Sequence, residues 1–214
     1  MNVTDLTRTD QPESRDKLEQ GQEGYSFYAY ISRMRYISRW GLMRNSCAEN
    51  IQEHSHMGAV LAHALALIAQ RVYGNKNVSP EKCAAAALFH DAGEIITGDL
   101  PTPVKYFNPE IRDAYHQVED VAAGRLLSML PEVLRECYEP LLRESDPETR
   151  RIVKAADKLA AHIKCLEELK ASNHEFILAA RQTRQALDDM DMPEVRYFID
   201  NFLDSFTLTL DELK

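Results

Sequence analysis

The sequence of 214 residues lacks the features of disulfide-rich, zinc-knuckle and membrane-spanning proteins. Its four cysteines, at positions 47, 83, 137 and 165, are far apart and form no Cys-x-x-Cys pair, which argues against a zinc knuckle and a disulfide framework. No apolar stretch reaches the roughly 20 residues that a membrane span needs, and the polar start of the chain has no apolar signal-peptide core. We therefore expect a cytoplasmic protein with no membrane partner.

An excess of positive charge is also missing. The chain has 25 basic and 34 acidic residues, a formal net charge of −9, so nothing in its overall charge favours nucleic acid as a partner. An anionic substrate would have to be bound by local groups. The length fits one domain better than two. We expect residues 1–24, which lack periodic apolar positions, to form a flexible N-terminal extension, and residues 25–214 to form the domain.

The alternation of polar and apolar residues that marks β-strands is absent as well, and apolar positions recur instead at helical spacing. A first helix is expected between Tyr25 and about Ser38. Asn50 followed by Glu53 is typical of a capping box, which predicts a helix that starts there and runs to about Tyr73.

A further helix is predicted to start at Ser79-Pro80 and to run toward Ile96, because serine is a good N-cap and proline suits the first helical position. The two prolines and one glycine of the segment 98–103 predict a loop after it. More helices are predicted at about 109–130, after Pro131, and at about 146–171, 173–189 and 193–205. The predicted fold class is therefore all-α, a helical bundle.

The most informative residues are His90 and Asp91, two adjacent polar residues in an apolar helical run. Aspartate is a poor residue for a helix interior, and a buried carboxylate needs a cation or hydrogen-bond donors. His54 and Asp157 stand in similar helical contexts. Because imidazole and carboxylate both suit divalent cations, these four residues are predicted to bind one metal ion. Pairing of Asp91 with an arginine, or exposure of Asp157 among lysines, is the alternative.

This mixed nitrogen and oxygen set admits cobalt, manganese, nickel, iron, zinc or magnesium, although the imidazoles count somewhat against magnesium. Glu94 follows Asp91 by three residues, which places it one helical turn along and makes it a candidate general base. Asp99, in the predicted loop, is a second candidate for proton transfer. An exposed glutamate at a helix end and a turn-forming aspartate are the alternative interpretations.

The combination of His54, His90-Asp91 and Asp157 resembles the H…HD…D signature of the HD-domain metal-dependent phosphohydrolases. From about residue 25 onward the chain is more specifically similar to the YfbR-like 5′-deoxynucleotidases. The segments that carry this similarity are Arg39-Trp40, Glu49-Asn50 to Glu53-His54-Ser55, 90–94, 97–107 and 164–169. The long match at 97–107 is far more specific than the His-Asp dipeptide.

The resemblance implies an HD-domain helical bundle that hydrolyses deoxyribonucleoside 5′-monophosphates to deoxyribonucleoside and phosphate. It also implies a homodimer with one divalent metal ion per subunit, often cobalt. By matching positions, the implied metal ligands are His54, His90, Asp91 and Asp157, and the implied catalytic residues are Glu94, Asp99 and Arg39. The residues implied to meet the substrate are Arg39, Trp40, His54, Asp91, Asp99, Leu100, Pro101, Thr102 and Asp157.

The implied roles of Arg39 and Trp40 agree with their chemistry. A guanidinium group is a planar fork of donors that suits two phosphate oxygens. Trp40 is the sole tryptophan, and its rigid ring could crowd the ribose 2′ position and reject a hydroxyl group, an effect on the order of 1–3 kcal/mol. Without the matching motif, a solvated arginine and a core tryptophan would be the default interpretations.

Two other functions remain open at this point. One is a different HD-domain phosphohydrolase that acts on triphosphates, cyclic dinucleotides or guanosine tetraphosphate, although the chain is short and has no Gly-Tyr-Pro element. The other is a nucleotide-binding helical scaffold in which a metal ion only holds three helices together. A scaffold would need neither Arg39-Trp40 nor the additional carboxylates.

Overall fold

The computed structural model of the chain describes residues 24–105, 107–144 and 146–213, and it confirms the all-α class. Within those ranges no β-strand forms, and one isolated antiparallel bridge pairs Ser38 with Asn50. The predicted N-terminal extension, 1–24, lies outside the described residues except for Gly24. None of the described helices is both long enough and apolar enough to cross a membrane.

Most of the described helices follow one another after a few residues, apart from the longer connections at 37–50 and 72–79, and short 3-10 segments occupy Ser32–Tyr36, His174–Phe176 and Leu203–Thr207. In chain order the α-helices are α1 (Phe27–Ile31), α2 (Ile51–Arg71), α3 (Pro80–Phe89), α4 (Glu94–Thr97), α5 (Thr102–Lys105), α6 (Pro109–Ser128), α7 (Glu132–Leu142), α8 (Pro147–Lys170), α9 (Ile177–Asp189) and α10 (Pro193–Phe202).

The main core lies between α2, α3 and α8, and α10 closes it. Leu61 and Leu65 of α2 and Ile152 and Leu159 of α8 are almost fully buried there. Burial of such side chains contributes roughly 1.5–3 kcal/mol each, so this packing fixes how the three helices lie against one another. It therefore also fixes the relative positions of the segments that carry the predicted metal ligands.

Helix α2 starts where the capping box predicts. The Asn50 Oδ1 accepts hydrogen bonds from the backbone N–H groups of Gln52 and Glu53, both at 3.1 Å, and the Glu53 carboxylate accepts one from the Asn50 N–H. These bonds satisfy donors that the first helical turn leaves unpaired. His54 therefore lies in the first turn of a helix whose start is fixed by its own sequence.

Replacing Asn50 with alanine is expected to lower the free energy of unfolding by about 1 kcal/mol, because the first turn loses its side-chain acceptor. Urea denaturation followed by circular dichroism measures the change. Gln52→Ala is the matched control, since Gln52 is an exposed neighbour in the same turn whose side chain has no part in the capping box. Equal losses in both variants would contradict this account of the helix start.

The prediction that the helix starting at Pro80 continues toward Ile96 is wrong. Helix α3 ends at Phe89, a turn occupies residues 90–93, and α4 follows as a separate short helix. Bonds from Ala92 N to Phe89 O and from Glu94 N to Asp91 O, both 3.0 Å and between residues three apart, tighten the chain at this point. In a regular helix, neighbouring side chains diverge by about 100°, and this turn allows both His90 and Asp91 to face one centre.

The predicted loop at 98–103 is shorter than expected. Gly98 adopts a φ of 74°, which favours glycine, and the chain leaves α4 there. Helix α5 then begins at Thr102, and proline is tolerated in a first helical turn because its missing N–H group is not needed there.

Candidate functional site

Four predicted metal ligands from three parts of the chain converge in the structure. The His54 Nε2 on α2 lies 2.9 Å from the Asp157 Oδ1 on α8 and 3.7 Å from the Asp91 Oδ2. The His90 Nε2, in the turn after α3, lies 3.1 Å from the Asp91 Oδ2 and 3.9 Å from the Asp157 Oδ1. The candidate ligand atoms of His54, His90 and Asp157 all lie within 4.8 Å of one another.

The ring of His90 is oriented in the way that metal-bound histidines usually are. Its Nδ1 lies 2.7 Å from the backbone carbonyl of Ala87, and only a protonated nitrogen can donate to a carbonyl oxygen. In the neutral ring Nε2 is then unprotonated, and this buried atom faces the carboxylate oxygens of Asp91 and Asp157 at 3.1 and 3.9 Å. A divalent cation would satisfy this atom, so the residues present fit a metal ion.

The charges around the cluster also favour a cation. Burial on its own would lower the pKa of His90, but the carboxylates of Asp91 and Asp157 raise that pKa well above its ordinary value. Burial would raise the pKa of Asp157, yet hydrogen bonds from His54 and His90 bring it well below its usual range. The carboxylates of this cluster therefore stabilise a positive charge between them, and a bound metal ion would supply that charge.

Arg39 and Trp40 lie in the segment 37–50, which connects the 3-10 segment Ser32–Tyr36 with α2. The Arg39 Nη1 is 3.3 Å from the Asp91 Oδ2, which places the guanidinium at the edge of the metal-ligand cluster. Trp40 packs its ring against Phe176 with a centroid distance of 5.3 Å and stays half-buried. One side of the Trp40 ring is thus packed against the protein. Arg39 is partly buried in an ion pair and is not a solvated arginine.

Glu94 lies beside a cavity of about 300 Å³ that His90 and Asp91 also line. Its Oε2 is buried and has no hydrogen-bond partner within the described part of the chain. Burial, together with the negative charges of Asp91 and Asp99, raises the pKa of Glu94 to about 9. A carboxyl group in such surroundings is typical of functional sites, because a structural role would supply it with donors.

Asp99 follows Gly98 and is also partly buried. Burial raises its pKa, and the positive charge of Arg39 opposes this rise. Leu100 and Pro101 are half-buried in the loop between α4 and α5, and their contact with a nucleotide stays a prediction. The same holds for Thr102, for which the structure describes only the backbone.

Sequence reasoning assigned no role to three residues that shape this site. The Glu49 Oε2 accepts hydrogen bonds from both Arg39 and Trp40. Lys164 and Glu168 form a buried ion pair on α8. Their spacing of four residues on an otherwise apolar face is a signal that could have shown the pair, whereas nothing local connects Glu49 with its partners.

Comparisons with known proteins identify the family of this chain. The family model described as 5′-deoxynucleotidase YfbR-like matches residues 26–206. A 5′-deoxynucleotidase of Vibrio cholerae is 48% identical over 87% of this chain and 97% of its own length. Among solved structures, an HD-domain phosphohydrolase of Listeria innocua has a TM-score of 0.73 at 24% identity, over 85% of this chain and 88% of its own. The cyanophage S-2L HD phosphohydrolase DatZ, bound to dA and one catalytic Zn²⁺, has a TM-score of 0.57 at 24% identity, over 83% of this chain and 96% of its own.

Proposed function

The chain belongs to the YfbR-like 5′-deoxynucleotidase family of HD-domain phosphohydrolases, and from this premise we propose how its residues remove phosphate from a deoxyribonucleoside 5′-monophosphate. The reaction cleaves the 5′ phosphate ester with water and yields deoxyribonucleoside and inorganic phosphate. The observation that supports our site most strongly is the convergence of His54, His90, Asp91 and Asp157, with the Arg39 guanidinium next to Asp91.

We assign His54, His90, Asp91 and Asp157 as the ligands of one divalent metal ion per subunit. When bound, such an ion neutralises phosphate charge and makes a water molecule acidic enough to act as a nucleophile near neutral pH. Cobalt, manganese, nickel, iron, zinc and magnesium are all compatible with two imidazoles and two carboxylates.

Arg39 orients the phosphate group in this proposal. Its guanidinium stays charged at any physiological pH and presents parallel donors that match two phosphate oxygens. The position beside Asp91 supports the role, because a phosphate bound by the guanidinium there would lie next to the candidate metal ligands. Such positioning aligns phosphorus for in-line attack and stabilises the charge of the transition state.

We propose that Glu94 and Asp99 transfer the protons. Glu94 lines the cavity next to His90 and Asp91, where it can orient the attacking water and accept its proton. Positive charge among the metal ligands would offset the repulsion from Asp91 and favour the ionised form of Glu94. Asp99, a partly buried carboxyl group whose pKa burial raises, is the candidate that donates a proton to the departing 5′ oxygen.

Trp40 accounts for the choice of deoxyribose. Its ring is packed against Phe176 on one side and follows directly after Arg39, so a nucleotide held by that arginine brings its sugar near the indole. A fixed ring at the 2′ position excludes a hydroxyl group by shape. The loop of Asp99, Leu100, Pro101 and Thr102 completes the proposed nucleotide contacts.

A panel of deoxyribonucleoside and ribonucleoside monophosphates, assayed for phosphate release, tests this function. The deoxy substrates are expected to have a kcat/KM roughly 10-fold to 200-fold higher, which is the range that a steric filter achieves. Activity should disappear with a chelator and return with added cobalt, manganese, zinc or magnesium. Phosphate release from triphosphates or guanosine tetraphosphate alone would contradict the assignment, and absence of any metal-restored activity would favour a structural metal.

We further propose that residues 25–214 form the HD domain, which 1–24 precede as an extension, and that the protein is a homodimer in the cytoplasm. The family match begins at residue 26, which supports the domain boundary. All four cysteines are free, as a reducing compartment would keep them. Size-exclusion chromatography with light scattering tests the dimer.

A further inference from the structure

One carboxylate oxygen contacts both residues that we assign to substrate selection. The Glu49 Oε2 accepts a hydrogen bond from the Arg39 Nε at 3.1 Å and another from the Trp40 Nε1 at 2.9 Å. The side chain of Glu49 is only 16% exposed, so these contacts are largely shielded from water. Charge-assisted hydrogen bonds of this kind are stronger and better directed than neutral ones.

The backbone places Glu49 opposite these two residues. The Arg39 N–H donates to the Glu49 carbonyl at 2.9 Å, and the Ile51 N–H donates to the Ile37 carbonyl at 3.0 Å. These bonds form the isolated antiparallel bridge of Ser38 with Asn50. Because the capping box holds Asn50 at the start of α2, the Glu49 side chain is anchored to a rigid element.

Trp40 needs such an anchor because its backbone is strained. Its φ is 59°, in the left-handed region that bulky residues rarely adopt. A conformation of this kind persists only where the surroundings hold it, and it is common at functional sites. The Met43 N–H donates to the Trp40 carbonyl at 2.8 Å, Phe176 packs on the ring, and Glu49 fixes the indole N–H.

Arg39 is held at the end of its guanidinium nearest the backbone. The contact of Glu49 with Nε fixes the plane of the group, while Nη1 reaches Asp91 in the metal-ligand cluster. A guanidinium that is fixed in plane loses less conformational entropy when it binds phosphate. The same carboxylate thus sets the direction of the arginine and the ring of the tryptophan.

We propose that Glu49 is a positioning residue that couples phosphate binding by Arg39 to sugar selection by Trp40. This inference rests on the function proposed for those two residues. Glu49 acts through them and does not touch the substrate. Loss of its carboxylate therefore weakens binding of the deoxynucleotide and, at the same time, weakens the rejection of the ribonucleotide.

Two variants separate the contributions of Glu49. Glu49→Gln keeps an acceptor for the indole N–H but removes the charge that Arg39 contacts, and Glu49→Ala removes both. For Glu49→Ala we expect kcat/KM for a deoxynucleotide to fall about 10-fold to 100-fold, mostly through a higher KM. This is the usual effect of removing a residue that orients a binding residue through a hydrogen bond. The ratio of deoxy to ribo kcat/KM should fall severalfold in Glu49→Ala and less in Glu49→Gln.

Tryptophan fluorescence supplies a readout that needs neither metal nor substrate. Trp40 is the sole tryptophan, so emission excited at 295 nm reports on this ring alone. In Glu49→Ala the emission maximum should shift and quenching by acrylamide should increase, with a smaller change in Glu49→Gln. Glu53→Gln is the matched control, because it removes the same charge from an exposed position nearby and keeps the capping acceptor.

The outcomes distinguish this inference from the proposed function. If the wild-type protein hydrolyses deoxynucleotides but both Glu49 variants keep its KM, its sugar preference and its fluorescence, the positioning role is wrong and the function stands. If the wild type shows no hydrolysis, the function is wrong, and fluorescence still shows whether Glu49 holds Trp40. Circular dichroism checks that each variant is folded, and Glu49→Gln decides the question if Glu49→Ala is not.

Discussion

Replacing Glu94 with alanine or glutamine is expected to lower kcat by about 10²-fold to 10⁴-fold, the usual contribution of a positioned general acid or base. The buried Oε2 of Glu94 has no hydrogen-bond partner among the described residues, and the cavity beside it is lined by His90 and Asp91. Glu94 lines this cavity and can contact a water molecule within it. Because Glu94 handles protons and does not hold the phosphate, nucleotide binding should stay close to wild type.

Steady-state kinetics with a deoxyribonucleoside monophosphate, together with calorimetric titration of the nucleotide, measures both parts of this expectation. Glu110→Gln, an exposed position on α6, is a control for the loss of one negative charge. Undiminished turnover in the Glu94 variants would remove this residue from the mechanism. A loss of binding equal to the loss of turnover would instead indicate that Glu94 organises the substrate site.

The unfolding temperature of Glu94→Gln supplies an independent readout. A buried carboxylate without donors costs stability, and this cost shows in its pKa, which burial and the charges of Asp91 and Asp99 raise to about 9. A neutral amide of the same shape cannot acquire the charge that burial and both aspartates oppose. The variant should therefore be at least as stable as wild type, which is the pattern expected when a residue is kept for function.

The sequence allowed the helical class, most helices and the convergence of the four candidate ligands to be predicted, because each depends on local patterns or on a recognised motif. The break after Phe89 was missed, since the apolar periodicity runs on through the turn at 90–93 into α4. The turn is shown by backbone hydrogen bonds between residues three apart, and the spacing of apolar residues does not reveal such bonds.

The residues that hold the site together were harder to predict than those within it. Glu49 contacts Arg39 and Trp40 across a chain reversal, and Glu168 contacts Ser46 from 122 positions away. Such partners are chosen by tertiary packing, and a single sequence does not show which distant segments meet. A buried charge on an apolar helix face indicates that a partner exists, but not which residue it is.

Replacing Glu168 with alanine is expected to lower the free energy of unfolding by about 3–5 kcal/mol, since it leaves a buried charge without its partner. Glu168 is 1% exposed and lies beside Lys164, which is 4% exposed. Its carboxylate also accepts hydrogen bonds from the backbone N–H groups of Ser46, at 2.8 Å, and Cys47, at 3.2 Å, and from the Asn173 side chain. The variant would leave these donors unpaired as well.

Replacing Glu168 should also disturb the proposed active site. Lys164 donates to the Cys47 carbonyl, so the ion pair fastens residues 46 and 47 to α8. These residues belong to the loop between Trp40 and Glu49, and the Lys164 Nζ lies 5.9 Å from the ring centre of Phe176, on which Trp40 packs. Even the folded fraction of the variant should therefore show weaker sugar discrimination than wild type.

Denaturant titration measures the stability change, and Glu167→Ala is the matched control. Glu167 is the exposed neighbour of Glu168 on α8, and its replacement should change stability by no more than about 0.5 kcal/mol. A loss below about 1 kcal/mol in Glu168→Ala would show that water or a rearranged loop satisfies Lys164. The ion pair would then not be what holds the loop in place.

Acid dependence gives the prediction a second test, with a definite sign. Burial would raise the pKa of Glu168, but hydrogen bonds from Lys164, Ser46 and Asn173 outweigh it and hold the pKa far below its usual range. A carboxyl group whose pKa is lower in the folded state contributes its full stabilisation above its unfolded pKa of about 4.3 and loses it as the pH falls further. The stability difference between wild type and Glu168→Gln should therefore be constant from about pH 6 to 8 and shrink below about pH 4. A difference that does not change with pH would mean that the carboxylate charge contributes nothing and that shape alone holds the loop.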